Sequence, residues 1–258
     1  TDKKFQTELE QVGFKFNPYD PCVSNRDRKG SQHMIMFHVD DLKSSHINPK
    51  VNDEFDTWLQ KNYGTHRKVV IHHGKVHQYL GMEIDYEYRG KVNIGMIKYV
   101  QGMLEDFPIQ FRSTKSVITS ASDGMFNRGQ GGKLHRERAE QFHMMVAKAL
   151  FLCKRARPDI QPTIAVLCMR VKEPNEADWG KLVSLMKYLN GTKKLRLRLS
   201  ADNLRCIKWC MDASSAVNPD YKSHTDVTMS FGDGEGAVQS ISRKQKLNTK
   251  SSTEAELI

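Results

Sequence analysis

The chain switches between helical and strand-like patterning at identifiable places. Residues 5–12 carry apolar positions at helical spacing and predict a short amphipathic helix, closed by the breakers Gly13, Pro18 and Pro21. A strand is expected near residues 22–25. It pairs across the polar turn "RDRKG" with an apolar run at Met34, Ile35, Met36, Phe37 and Val39, which His38 interrupts. "NPKVNDEFDTWLQKNYG" reads as a helix that Asn48 caps, Pro49 opens and Gly64 ends. Residues 79–88 and 91–96 predict two strands joined at Arg89-Gly90, and "MIKYVQGMLEDF" turns helical with Ile97, Val100, Leu104 and Phe107 on one side.

Residues 113–135 are polar and rich in glycine and serine, so a surface loop or disordered link is expected. Helical stripes then dominate. Phe142, Met145, Val146, Ala149, Leu150 and Cys153 form the first, and Ile164, Leu167 and Val171 follow an opening at Pro158 and Pro162. Trp179, Leu182, Val183, Met186 and Leu189 form the last, which stops at Asn190-Gly191. Such stripes are core positions by default. From about residue 202 the period shortens again. "LRCIKWCMDAS" is a strand, and "DVTMSFGDGEGAVQSISRKQ" gives two more around Gly232, Gly234 and Gly236. "KSSTEAELI" restarts a helix through a Ser251/Glu254 capping box. The fold class this predicts is α+β.

A chain of 258 residues supports one large domain or two ordinary ones. Its 38% hydrophobic and 27% charged residues are ordinary for a folded protein. Lysine and arginine exceed acidic residues by 40 to 30, a formal charge of +10 that favours an acidic partner, most simply nucleic acid. The five cysteines, Cys22, Cys153, Cys168, Cys206 and Cys210, form no Cys-x-x-Cys pair. Buried thiols in a reducing compartment are expected. No apolar run approaches membrane-spanning length and no signal-peptide pattern opens the chain, so neither a membrane partner nor secretion is expected. Both ends look cut, with helix-like sequence running off the C-terminus.

Two sets of carboxylates are candidates for chemistry. Asp40 and Asp41 end the apolar run in "MFHVDDL". Adjacent strand residues point to opposite faces, but at a tight turn both can approach one ion. Hard carboxylate oxygens suit the divalent cations of nucleotidyl transfer. On these two residues alone a solvated turn is the simpler reading. Asp212 follows "CIKWCM", and Glu256 stands in the last helix; in a mixed sheet packed by that helix the two would meet and begin a magnesium site. Taken singly, each also reads as a solvated surface residue.

The surrounding words change the balance. Over nearly its whole length the chain resembles the Pol polyprotein of Ty1/copia-type retrotransposons. "GFKFNPYDPCV" resembles the stretch before the palm hairpin of their reverse transcriptase, and "MFHVDDL" resembles their Tyr-Val-Asp-Asp hairpin. "YLGMEIDY" and "IKYVQGMLEDF" are similar to the segments after the palm. "KRARPDIQPTIAVLCMRVKEPNEADWGKLVSLMKYLNGT" is similar to the connection, and "WCMDAS" with "SRKQKLNTKSSTEAEL" resembles the opening of their ribonuclease H domain.

The resemblance implies a C-terminal part of a polymerase palm at residues 1–118, a polar linker at 119–135, a helical connection at 136–201 and the first half of a ribonuclease H-like domain at 202–258. It implies Asp40 and Asp41 as polymerase metal ligands, Asp212 and Glu256 as ribonuclease H carboxylates, and Mg2+ (or Mn2+) as cofactor. Glu254 is set aside because the capping role takes it. RNA template, DNA primer and RNA–DNA hybrid are the implied partners; His38, Arg243, Lys244 and Lys246 are the implied nucleic-acid contacts. Several positions depart from the family. His38 replaces the tyrosine, Asp226 follows Thr225 where glycine is usual, and Asp233 and Glu235 add negative charge beside the expected substrate side. The family's first palm aspartate and its further ribonuclease H aspartates are not among these residues, so the 258-residue chain is expected to be inactive alone. A non-catalytic nucleic-acid-binding remnant or a functionless truncated product is the alternative.

Overall fold

The computed structural model describes residues 2–65, 69–86, 88–111, 117–121, 124–127, 129–202, 205–232 and 235–257. The α+β class is what it shows, with antiparallel sheets. The chain divides into two compact units, Thr1–Leu80 and Gly81–Ile258.

Unit 1 opens with α1 (Asp2–Gln11), followed by β1 (Lys15–Phe16), β2 (Val23–Arg28), β3 (Ser31–His38), β4 (Asp41–Ser45), α2 (Pro49–Tyr63) and β5 (Val76–Tyr79). The first four strands form an antiparallel sheet in chain order. The β2–β3 turn is tighter than the "RDRKG" loop expected from sequence. Lys29 and Gly30 take φ of 56° and 74°, so two left-handed residues close the hairpin and Arg28 stays in the strand. Strand alternation decides the faces. His33, Ile35 and Phe37 are buried beneath the helices, with Leu9, Phe14, Phe55 and Leu59 completing the core. Asn48 caps α2 by accepting from the Lys50 N–H, and Gly64 ends it, as the sequence predicts.

Unit 2 begins with β6 (Met82–Asp85), β7 (Lys91–Gly95) and α3 (Ile97–Asp106). The strand expected over residues 79–88 is interrupted, because Leu80 and Gly81 both have positive φ, 50° and 76°. Next come α4 (Arg136–Cys153), a 3-10 turn at Pro158–Ile160, α5 (Gln161–Arg170), α6 (Glu176–Gly191) and β8 (Leu197–Ser200), which pairs with β7. The helices share one core around Phe142, Met145, Leu152, Ile164, Leu182 and Leu189. Leu150, expected in that stripe, is exposed, and Leu152 takes its place on the inner face. The described part of the 113–135 connection has no helix or strand, yet it is not a free link. Met125 and Leu134 are buried, and the Ser120 hydroxyl donates to the Asp159 carbonyl.

The words that resemble the connection build a clamp. Arg157, 2% exposed, donates to both Asp159 oxygens and to the Thr192 carbonyl and hydroxyl, while the Tyr188 hydroxyl donates to Asp159 at 2.8 Å. Buried charge is tolerated here because each guanidinium nitrogen has an acceptor. Asn175 and Asp178 cap α6 reciprocally, and Arg170 binds Asp178 at 3.0 Å.

Unit 2 ends with β9 (Lys208–Ser214), β10 (His224–Ser230), β11 (Gln239–Lys244) and α7 (Ser252–Leu257). These three strands are antiparallel in the order β11-β10-β9, where a mixed sheet was expected; the parallel pairing observed is an isolated bridge between Ala201 and Phe231. The cysteine expectation also needs correction. Cys153 is buried and its thiol is pushed up to about 12 by burial, but Cys206 and Cys210 are exposed. Among the described residues no helix is long and apolar enough to cross a membrane.

Candidate functional site

At the far end of the β3–β4 hairpin, His38 pairs with Asp41, leaving Val39 and Asp40 as a two-residue turn. A turn this short needs a left-handed residue, and Val39 supplies it with φ of 53°. For a β-branched side chain that conformation is strained, on the order of 1–3 kcal/mol. The strain has a geometric result. His38, Val39, Asp40 and Asp41 all project into solvent, Val39 with 78% of its surface exposed, while Phe37 one residue earlier is in the core. Directly paired residues share a face, so His38 and Asp41 stand together on the side away from the helices.

The neighbours of the tip come from two other segments. In "NPYDPC" the Tyr19 N–H donates to Asn17 Oδ1 and the Cys22 N–H to Asp20 Oδ1, a pair of side-chain-mimicked turns. They deliver the Cys22 carbonyl to the Phe37 N–H at 3.0 Å, which holds the loop alongside the hairpin. Tyr79 belongs to β5, which lies against β4. Burial, and then the charges of Asp41, Cys22 and Asp20, push its phenol up from the ordinary range. Asp20, Asp41 and Tyr79 therefore share one electrostatic neighbourhood. Sequence reading missed Asp20 and Tyr79, although Asp20 lies inside a quoted motif and a carboxylate-rich turn was the signal to look for.

Beneath this face a polar chain crosses the core. Arg26 Nε donates to His33 Nδ1 at 3.2 Å, so that nitrogen is the acceptor and Nε2 carries the proton toward Ser44 Oγ, 2.9 Å away. Ser44 passes the chain to Asn52 Oδ1 at 2.8 Å. His33 is held at about 4, first by burial and then by the charges of Arg26, His46 and Arg28. The neutral ring links β2, β3, β4 and α2 and fixes the platform from which the hairpin tip extends. A hollow of about 670 Å³ lies elsewhere in unit 1, along Lys15, Asn17, Arg26 and Gln32, and does not include the tip. The carboxylates thus sit on an open surface rather than in a closed pocket.

The second set is arranged differently. Asp212 lies within β9 rather than after it, exposed on an edge strand, directly opposite Asp226 of β10. Side chains paired in this way have Cβ atoms about 4.5–5.5 Å apart, so two like charges face each other. The register reveals this neighbour; the sequence alone did not. Glu256 is exposed on α7, which packs against β9 and β10. Gln245 ties that helix down by donating to the Thr225 hydroxyl and the Ala255 carbonyl. Thr225 adjoins Asp226, so alternation puts the Asp212–Asp226 row on the opposite face from this tie. Glu254 acts in the cap: its N–H donates to Ser251 Oγ, and its carboxylate accepts from the Lys250 N–H.

Of the expected phosphate contacts, Arg243 and Lys246 are exposed, whereas Lys244 is bound to Asp220 at 2.7 Å. Glu235, expected beside the substrate, is bound to Lys91 at 2.8 Å, and Asp233 lies outside the described residues. Among the described residues, neither Asp40-Asp41 nor Asp212 belongs to a group of three possible metal ligands; such a group forms at Asp53, Asp56 and His73.

Comparison with known proteins gives two relatives. A transposon Ty5-1 protein of Saccharomyces cerevisiae is 22% identical over 251 residues, covering 97% of this chain and 79% of its own length. A retrovirus-related Pol polyprotein from transposon TNT 1-94 of Nicotiana tabacum is 24% identical over 267 aligned positions, covering 99% of this chain and 19% of the polyprotein. No family model matches the chain, and no solved structure matches it.

Proposed function

We propose that this chain, a relative of retrotransposon Pol polyproteins, carries the metal-binding palm hairpin of an RNA-directed DNA polymerase followed by the opening of a ribonuclease H domain. The observation that supports this reading most strongly is the strained two-residue turn that presents Asp40 and Asp41 together on an open face. Two carboxylates fit Mg2+, which keeps most of its waters and is usually held by one or two carboxylates plus substrate phosphates. Bound there, the ion would offset charge that develops on the attacking and leaving oxygens during phosphoryl transfer.

This chain's own residues would do the positioning. Asp40 and Asp41 would supply hard oxygen donors from adjacent, exposed positions of the hairpin tip. His38 shares the Asp41 face and offers an aromatic ring or a hydrogen bond to a primer end. RNA template, DNA primer and their hybrid are the proposed partners, with Arg243 and Lys246 as backbone contacts in unit 2. In the ribonuclease H part, Asp212 and Glu256 would serve as ligands for hydrolysis of the RNA strand. Asp212 stands opposite Asp226, on the sheet face away from the tie that holds α7, and among the described residues neither it nor Glu256 belongs to a group of three possible ligands, so hydrolysis by the 258-residue chain is not expected.

Primer extension on an RNA template with Mg2+ tests the reading. The 258 residues alone should be inactive. A longer chain, joined N-terminally to a palm segment that supplies a further carboxylate, should extend the primer, and Asp40→Asn or Asp41→Asn should lower that rate about 10³-fold, the equivalent of several kcal/mol of lost charge stabilisation. Undiminished extension by both variants would contradict it. The charge of +10 favours a second reading, binding without turnover. Hybrid affinity that falls steeply with salt, with no extension by the longer chain, would select it.

A further inference from the structure

We propose that unit 1 contains a second cation site, separate from the hairpin tip, in which Asp53, Asp56 and His73 bind zinc or a similar transition ion and staple the segment after α2 to that helix. Asp53 and Asp56 are three apart on α2, so they leave the helix on the same side. His73 comes from a segment without regular structure, held to the helix where Gln60 Nε2 donates to the Val69 carbonyl at 2.9 Å. The next residue, Gly74, has φ of 127°, a conformation that side chains rarely adopt and that redirects the chain toward β5.

The donor atoms of the three residues all lie within 4.8 Å of one another. His73 Nε2 is 3.3 Å from Asp56 Oδ2. In a tetrahedral zinc site with ligand bonds of 2.0–2.1 Å, neighbouring ligand atoms are about 3.3–3.4 Å apart. One edge of that tetrahedron is therefore already formed, and the Asp53 carboxylate lies within 4.8 Å of the other two donors. An ion pair between His73 and Asp56 explains one edge but not Asp53, whose charge opposes that of Asp56 at helical spacing.

The donor set selects the metal. Imidazole nitrogen with carboxylate oxygen suits zinc and its neighbours, whereas Mg2+ prefers oxygen alone. Histidine is also concentrated here: His72 and His73 both act electrostatically on His77 at the start of β5. The site would close a loop from α2 to residue 73 and leave a fourth position to water.

The test uses the 258-residue protein and zinc itself. Titration with Zn2+, followed by calorimetry and by the ring resonances of His73, should show one saturable site. His73→Ala and Asp53→Asn should each weaken that binding at least 10-fold. His72→Ala and the Asp40→Asn/Asp41→Asn double variant should leave it within twofold, and Mg2+ in tenfold excess should not displace the ion. Asp53 is an exposed helix residue, so Asp53→Asn keeps the test valid where His73→Ala proves unstable. Absence of saturable binding, retention of full affinity in Asp53→Asn, loss of binding in the hairpin variant, or displacement by Mg2+ would each overturn the proposal.

Discussion

The tip of β3–β4 and the β9–α7 region both carry candidate carboxylates, but they place them by different means. At the tip, Asp40 and Asp41 are neighbours at one turn, which the left-handed Val39 closes, and both are exposed. In β9–α7 the candidates stand 44 residues apart in sequence, and the partner that the register gives Asp212 is Asp226 rather than Glu256. A site built within one turn needs only local geometry. A site built from a strand and a distant helix depends on packing that must be satisfied everywhere else first. Unit 2 instead invests its most recognisable words in a clamp around Arg157.

Breaking that clamp should produce the largest effect. Arg157→Ala leaves the Asp159 carboxylate and the Thr192 groups without their buried partner and should cost unit 2 about 3–5 kcal/mol. Urea denaturation measures this, and a loss below about 1 kcal/mol would show that the clamp is not what holds the connection together.

The platform under the hairpin should respond to acid. His33 has a folded-state value of about 4, below the ordinary 6.5, so the unfolded chain binds the proton first as pH falls. Its contribution to stability is complete above pH 6.5 and is lost as pH falls toward 4. With allowance for solvent screening, the loss is about 2 kcal/mol. Denaturation of the natural protein and of His33→Gln between these pH values checks it: the slope should flatten in the variant.

Relieving the turn should stabilise unit 1. Val39→Gly removes the left-handed strain but adds freedom to the unfolded chain, for a net gain of about 1 kcal/mol. A loss of stability would mean that Val39 is not strained in solution. The smallest effect belongs to the acidic pair in unit 2. Asp226→Asn should raise stability by about 0.5 kcal/mol at low salt and by less at high salt, because it removes a charge facing Asp212.

The sequence carried the fold wherever signals were local. The Asn48 cap, Pro49 and Gly64 bound α2 as expected, and the α4 and α6 stripes reached the core. It was less informative where one residue decides a turn or a face. The left-handed Lys29-Gly30 pair shortened one hairpin, Leu80-Gly81 split an expected strand, and Leu150 and Leu152 exchanged places because helical periodicity leaves the stripe's edge ambiguous. Asp40 and Asp41 were legible because they are adjacent. Asp20, Tyr79 and Asp226 were not, since strand register and loop path place them, and neither is written in spacing. The Asp53, Asp56 and His73 group was hidden for the same reason: its histidine arrives from 17 residues beyond Asp56.

Whether the β3–β4 tip is a divalent-cation site can be read by adding Mn2+ to the isotopically labelled protein and recording amide line broadening residue by residue. Selective broadening is expected at residues 38–42 and should disappear in the Asp40→Asn/Asp41→Asn variant, while any broadening near Asp53 and His73 persists. Sharp resonances at the tip, or broadening there that survives the double substitution, would contradict it.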